Sequence, residues 1–238
     1  MAKDTVYKAQ DPNQPFRFNA QVAAVFPDML RRSIPGYEAS LEAIGSLAAR
    51  YVQAGSNCYD LGCSLGAASL AMVQGSSSPD FRVIAVDNSA AMIERGYAVL
   101  AGQRGNIELR QADVRETTIE NASMVVLNYT LQFLDLDSRD ELMGRICAGL
   151  VPGGLLVLSE KVVDEDPHME ELLVDLHHEH KRRNKYSALE IARKRAALDN
   201  VLVPETVAAH RARLETAGFA HTAVWLRYFN FVSIIAIR

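Results

Sequence analysis

The sequence predicts an α/β fold: a mostly parallel sheet with helices between its strands, a C-terminal antiparallel hairpin, and extra helices covering the site. Three observations carry this. From Ser56 onward short β-rich runs alternate with longer helical ones, which is the pattern of βαβ units. The first unit turns through a glycine-bearing stretch, YDLGCSLG, at residues 59–66. The end of the chain, HTAVWLRYFNFVSIIAIR at residues 221–238, reads as two strands around a tight turn near Phe229 and Asn230.

Taken in order, the strands are SNCYDLG, FRVIAVDNS, NIELRQAD, ASMVVLNYT and GGLLVLSEK, each bounded by turn or capping residues. SAAMIERGYAVLAG and SRDELMGRICAGL are helical, the second with Ser138 as its cap, Glu141 three residues on and VPGG as its stop. Two helical regions fall outside the alternation. Residues 19–52 should flank the sheet, as a segment from Asn19 to Tyr51 broken by Pro27 and Pro35. Residues 167–216, running from Pro167 to Thr216, are too long for a simple crossover and should cover the carboxyl end of the sheet, where open α/β folds bind ligands.

A chain of 238 residues, 49% of them hydrophobic, can bury its core as a single α/β domain spanning 1–238. With 25 Lys and Arg against 29 Asp and Glu it carries a net charge of -4, so no global basic field draws in nucleic acid. The runs KRRNK (181–185) and RKR (193–195) read as solvated helix faces, with no aromatic residues interleaved for base stacking. Cys58, Cys63 and Cys147 form no Cys-x-x-Cys pair, and the opening MAKDTVYKAQDPNQPF holds no apolar signal region. No apolar run approaches the ~18 residues needed to cross a bilayer. A cytoplasmic protein with reduced thiols and no membrane contact is the expectation.

Chemistry concentrates at the strand ends. Asp60 closes the first strand, and Gly62 and Gly66 let the backbone turn toward a helix N-terminus that favours a polar or anionic group. Asp87 closes the second strand, where a carboxylate can accept two hydrogen bonds from ribose hydroxyls. Asp113 and Asn128 close the third and fourth. A dinucleotide site wants glycine where Ser64 stands, and a phosphate loop wants a Gly-Lys pair that is absent, so the turn suits a nucleoside without a phosphate chain. DLHHEHKRRNK (175–185) places His177 and His180 on one helical face but lacks the spacing of a zinc helix, so no metal is expected. His177 and Arg182 could meet a substrate's carboxylates, and Glu160 and Lys161 are pocket residues or an ion pair at a strand end.

These features resemble the S-adenosyl-L-methionine (AdoMet) site of class I methyltransferases, whose fold is Rossmann-like. The likeness narrows at VFPDMLRRSIPGY (25–37), YDLGCSLGAASL, AVDNSAAMIER, IENASMVVLNYTLQFL, LSEK and YSALEIARKRAALDNVL, which together resemble the carboxy-S-adenosyl-L-methionine synthase family over most of the chain. The matching is looser at 72–82 and 96–106, and poor before Phe18. The resemblance implies an enzyme that carboxylates the methyl carbon of AdoMet, with prephenate as carboxyl donor and phenylpyruvate and water as the other products. It implies a homodimer whose product passes to a separate tRNA carboxymethyltransferase for wobble-uridine modification. It also implies AdoMet contacts at Tyr37, Gly62, Cys63, Ser64, Asp87, Asn88, Asp113, Val114 and Asn128, and a catalytic Arg195 on the new carboxylate. Helical spacing puts Arg195 on a stripe with Ile191, Leu198 and Leu202, and Arg193 on the opposite side. Two rivals stand beside this reading: an ordinary AdoMet methyltransferase of a small molecule or tRNA base, and a non-catalytic AdoMet- or tRNA-binding module.

Overall fold

The computed structural model of the chain describes residues 2–9, 14–102, 107–199 and 201–238. Among them one sheet is built from β1 (Ser56–Leu61), β2 (Phe81–Asp87), β3 (Ile107–Gln111), β4 (Ala122–Asn128), β5 (Leu150–Lys161), β6 (His221–Tyr228) and β7 (Phe231–Ile237). Its spatial order is β3-β2-β1-β4-β5-β7-β6. The strands β1 to β5 run parallel, and β7 pairs antiparallel with both β5 and β6. The chain travels outward from β1 to β3 and returns on the other side of β1 as β4. That reversal opens a crevice at the carboxyl ends of β1 and β4.

The central strands are apolar on both sides because helices cover both faces. On one face Ile84, Val86 and Val125 pack with α6 (Leu136–Gly149) and α9 (Val207–Thr216) through Leu142, Ile146 and Leu214. On the other, Val83, Met124 and Val126 pack with α3 (Tyr37–Tyr51) and α4 (Ala67–Gly75) through Ile44, Ala48 and Met72. Ala85 and Leu109 receive Ile93 of α5 (Ala90–Leu100). The hairpin turns at Phe229, whose φ is 55, and Asn230, as its sequence predicts.

Several elements differ from expectation, each for a local reason. Pro27 lies inside α2 (Ala20–Ser33), which continues past it and stops only before Pro35. A proline removes one helical hydrogen bond, and the apolar face of α2, with Val22, Phe26 and Met29 buried, compensates for it. Asp135, not Ser138, caps α6: its Oδ1 accepts from the Ser138 backbone N–H at 3.0 Å. An aspartate three residues earlier takes the role because its carboxylate also complements the helix dipole. VPGG follows the helix stop but lies within β5, which begins at Leu150. The first residue of the expected third strand, Asn106, lies outside the described residues. The segment 167–216 is not uniform: α7 (Pro167–Arg183) and α8 (Ala188–Leu198) stand over the crevice, whereas α9 belongs to the sheet's flank and buries Leu214 in the main core.

Candidate active site

The crevice is a cavity of about 600 Å³, within the range of small-molecule sites. The ten residues that the resemblance assigns to AdoMet and the new carboxylate all line it: Tyr37, Gly62, Cys63, Ser64 and Asp87, then Asn88, Asp113, Val114, Asn128 and Arg195.

The turn after β1 is held by backbone and carboxylates together. The Gly62 and Cys63 N–H groups both donate to the Val86 carbonyl, at 2.8 and 2.9 Å. Gly62 has φ 79, and a Cβ there would stand 2.2 Å from the Thr130 Oγ1, so only glycine fits. Ser64 adopts φ 49 and donates its N–H to Asp87 Oδ2 at 2.9 Å. Asp87 Oδ1 accepts from the Ser89 N–H at 2.9 Å. Each oxygen thus spends one lone pair on the backbone and retains one for a diol. Asp60 caps α4, accepting from Ser69 N–H at 2.9 Å and Ser69 Oγ at 2.6 Å. Burial, reinforced by the Asp87 charge and moderated by Ser69, pushes its pKa up to about 6. Burial and the same two carboxylates push the Cys63 thiol far up, which keeps it neutral. At the end of β4 the buried Asn128 Oδ1 has no protein partner, an acceptor left for a ligand.

Asp113 differs from its neighbours. Arg115 grips its carboxylate at 2.7 Å and 3.1 Å, reaches Asp135 at 3.0 Å, and holds the Asp113 pKa below the usual carboxylate range. The remaining lone pairs and the adjoining Val114 are what this strand end offers a base ring. An aromatic wall stands at the same cavity. Phe18 packs edge-on against Phe16 at 4.8 Å and Phe133 at 5.3 Å. The Ser89 hydroxyl holds the Phe18 carbonyl at 2.5 Å, and the Phe16 N–H donates to Ala197 of α8 at 2.8 Å. Sequence reasoning missed this wall, although the apolar spacing of Phe16 and Phe18 was its signal.

The cover helices bring cations. Arg195, Leu198 and Leu202 line the cavity together, while Ile191 packs inward and Arg193 turns away to the Tyr7 and Lys8 carbonyls. Arg182 is exposed and lies outside the cavity; Lys181, read as part of a solvated run, is buried in it. Burial, with the charges of Lys194, Lys161 and Arg195, lowers the Lys181 pKa to about 7. Lys194, also read as solvated, is buried and donates to Ser33 Oγ at 2.9 Å. Ser33 continues to the Tyr186 hydroxyl and that to Asp4, so the Lys194 charge has a distant counter-ion. His177 is buried, and its Nε2–H donates to the Ser33 carbonyl at 2.9 Å; burial and Lys181 press its pKa to about 2. His180 is half-buried beside Asn184, outside the cavity. Glu160 and Lys161 do not pair. Glu160 leaves the cavity to accept the Leu131 and Gln132 N–H groups at 2.9 and 3.0 Å, whereas Lys161 lines it. Among the described residues no cluster of metal-ligating side chains is gathered, and no helix is long and apolar enough to cross a membrane.

Residues 59–154 match the methyltransferase domain family. A solved AdoMet-dependent methyltransferase structure from Methanococcus maripaludis superposes with a TM-score of 0.61 at 20% identity, covering 96% of each chain. Human N-acetylserotonin methyltransferase in complex with AdoMet gives 0.61 at 15% identity over 92% of this chain and 55% of that one. These likenesses show the fold. Two relatives are far nearer in sequence, both carboxy-S-adenosyl-L-methionine synthases. That of Trichlorobacter lovleyi is 55% identical over 94% of this chain and 93% of its own, and that of Vibrio cholerae 50% identical over 99% and 97%. With the class I methyltransferase fold and identity running almost end to end, the chain belongs to the carboxy-S-adenosyl-L-methionine synthase family and is an enzyme that forms carboxy-AdoMet.

Proposed function

We propose that the carboxyl donor is prephenate and that the ten cavity residues named above carry the reaction. The observation that carries this reading is the division of charge within one cavity. The carboxylates Asp60 and Asp87 stand at the ends of β1 and β2, and the cations Lys181, Lys194, Arg195 and Lys161 stand on α7, α8 and the end of β5, where Glu170 and Asp199 are the carboxylates that accompany them. The first set suits a ribose and a sulfonium; the second suits an anion delivered beside the methyl carbon.

In this scheme Asp87 accepts the ribose hydroxyls, Asn88 and Val114 flank the nucleoside, and Asp113 holds the adenine end while Arg115 fixes its rotamer. Gly62, Cys63, Ser64, Tyr37 and Asn128 surround the amino-acid and sulfonium portion. Prephenate loses its ring carboxylate as carbon dioxide, the bonding pair aromatises the ring, and the ring hydroxyl departs as hydroxide. Hydroxide takes one proton from the sulfonium methyl to give water. The carbon left behind, an ylide stabilised by the adjacent positive sulfur, adds to carbon dioxide, and phenylpyruvate remains. Atoms and charge balance without a metal or an added base. Arg195 binds the new carboxylate with its rigid two-pronged fork. Closure by α7, α8 and the Phe16–Phe18 segment keeps the carbon nucleophile from bulk water.

The product is a carboxymethyl donor for a separate tRNA-modifying enzyme, and the working unit is a homodimer in the cytoplasm. Mass spectrometry of small molecules after incubation with AdoMet, with and without prephenate, tests the reading. A prephenate-dependent species heavier than AdoMet by one carbon dioxide is expected. S-adenosylhomocysteine formed without regard to prephenate would overturn it in favour of methyl transfer, and binding without turnover in favour of a non-catalytic module.

A further inference from the structure

Three cations that face the cavity have no carboxylate of their own. Among the described residues Lys161, Lys181 and Arg195 form no ion pair and donate no side-chain hydrogen bond, in contrast to Lys194 with its Ser33 contact. Lys181 is buried on the inner face of α7, one turn after His177, whose ring is already committed to the Ser33 carbonyl. Lys161 stands at the carboxyl end of β5, held there by its backbone N–H to Gln132 Oε1 at 3.0 Å. The acids nearest to it are engaged or exposed: Glu170 accepts the Asp164 N–H at 2.8 Å, and Asp199 lies at the exposed end of α8. Lys181 is taken from water without a partner and Lys161 is half-buried, an arrangement that an arriving anion stabilises by keeping both charged, while Arg195 is exposed on the same cavity lining. One guanidinium fork accounts for one carboxylate. Two lysines remain.

We propose that Lys161 and Lys181 form a second anion subsite, which holds the carboxylate of the donor that the reaction does not consume while Arg195 holds the one that is transferred. The assignment rests on the dicarboxylate donor argued above. It makes the enzyme specific for a dianion: the subsite fixes the donor's side-chain carboxylate before, during and after decarboxylation. The same group persists in phenylpyruvate, so that product competes for the subsite. Lys181 and Lys161 are point charges that tolerate the donor's movement as its ring flattens, whereas the Arg195 fork demands one orientation.

Lys181→Met and Lys161→Met keep the length of the side chain and remove the charge, and burying a thioether is no threat to folding. The readouts are prephenate KM and kcat, the affinity of AdoMet by calorimetry, and inhibition by phenylpyruvate. Each variant is expected to raise the prephenate KM and the phenylpyruvate inhibition constant by about 10- to 100-fold, the usual loss for one charged hydrogen bond, with AdoMet affinity changed less than about threefold. Unchanged prephenate KM in both variants, with wild type active, overturns the subsite alone. Weakened AdoMet binding with unchanged phenylpyruvate inhibition also overturns it, and gives the lysines to the amino-acid carboxylate of AdoMet. Failure of the wild type to turn over prephenate overturns the donor reading and the subsite together. A variant too unstable to assay is replaced by Lys181→Gln, for which the same expectations and reversals hold.

Discussion

Arg195 is the side chain to which the proposed mechanism assigns the new carboxylate. Among the described residues it lines the cavity, beside Leu198 and Leu202, with no ion pair or side-chain hydrogen bond, and it is exposed there, so its guanidinium is left unspent. Arg195→Ala should lower kcat/KM for carboxy-AdoMet by about 100-fold or more, while AdoMet binding measured by calorimetry stays within about threefold. Arg195→Lys should fall between, because an ammonium keeps the charge and loses the fork. Equal loss of AdoMet binding in both would remove Arg195 from the carboxylate. This residue was legible in the sequence because helical spacing sets it on an apolar stripe and the family resemblance then assigns it a carboxylate, the stripe alone being equally that of a snorkelling arginine. Lys181 and Lys194 were not, since KRRNK and RKR look like any solvated face until α7 and α8 are laid across a cavity. Glu160 misled in the opposite sense: its position after β5 points toward the site, but the orphan N–H groups of Leu131 and Gln132 claim both oxygens.

At the scale of elements, α6, α9 and the loop between β4 and α6 are tied by one buried cluster. Arg139 is fully buried and donates to the Leu134 and Val203 carbonyls at 2.9 Å each, and to Glu205 at 2.5 Å. Arg213 joins Glu205 at 2.7 Å and Asp140 at 2.5 Å. Removing Arg139 leaves several buried acceptors without donors, so Arg139→Ala should destabilise by about 3–5 kcal/mol in denaturant titration. Since Gln132, Phe133 and Leu134 line the cavity, AdoMet affinity should fall with it. A loss below about 1 kcal/mol would mean the cluster is not what fastens these elements. His210 of α9 borders the same cluster, facing Glu205, Arg213 and Arg139, and burial presses its pKa down to about 4. In the unfolded chain it binds a proton below its ordinary value of about 6.5, which the folded state refuses, so stability is lost as pH falls through that window. His210→Gln should therefore flatten the pH dependence of stability between about 6.5 and 4, by up to about 1.4 kcal/mol per pH unit. Strand positions were legible because β-branched runs bounded by polar residues admit few alternatives. Helix ends were less so: Asp135 and Ser138 are both good caps, and only packing chooses between them.

For the whole molecule the governing feature is that β1 and β2 bring the carboxylates Asp60 and Asp87 to one cavity, to which α7, α8 and the end of β5 bring the cations Lys181, Arg195 and Lys161. Asp60 and Asp87 ride on strands fixed by the core, while Lys181 and Arg195 ride on α7 and α8. A positively charged ligand seated against the sheet should therefore improve the site for an anion seated under the cover. AdoMet and S-adenosylhomocysteine share their nucleoside and amino-acid groups and differ at sulfur, where only AdoMet is a cation. At an effective dielectric near 20, one unit charge roughly 6–15 Å from a carboxylate supports a coupling of about 1–3 kcal/mol, or roughly 5- to 150-fold. Phenylpyruvate should accordingly bind the AdoMet-loaded enzyme about tenfold or more tightly than the S-adenosylhomocysteine-loaded enzyme. By linkage, saturating phenylpyruvate should tighten AdoMet over S-adenosylhomocysteine by the same factor, which gives two independent calorimetric measurements of one quantity. The effect should shrink with added salt less than a surface interaction would, because the groups involved are shielded from bulk ions. Equal phenylpyruvate affinity in the two complexes would mean that the carboxylate retained in phenylpyruvate does not lie within coupling distance of the sulfur, and the lysine subsite would then stand apart from the AdoMet sulfonium.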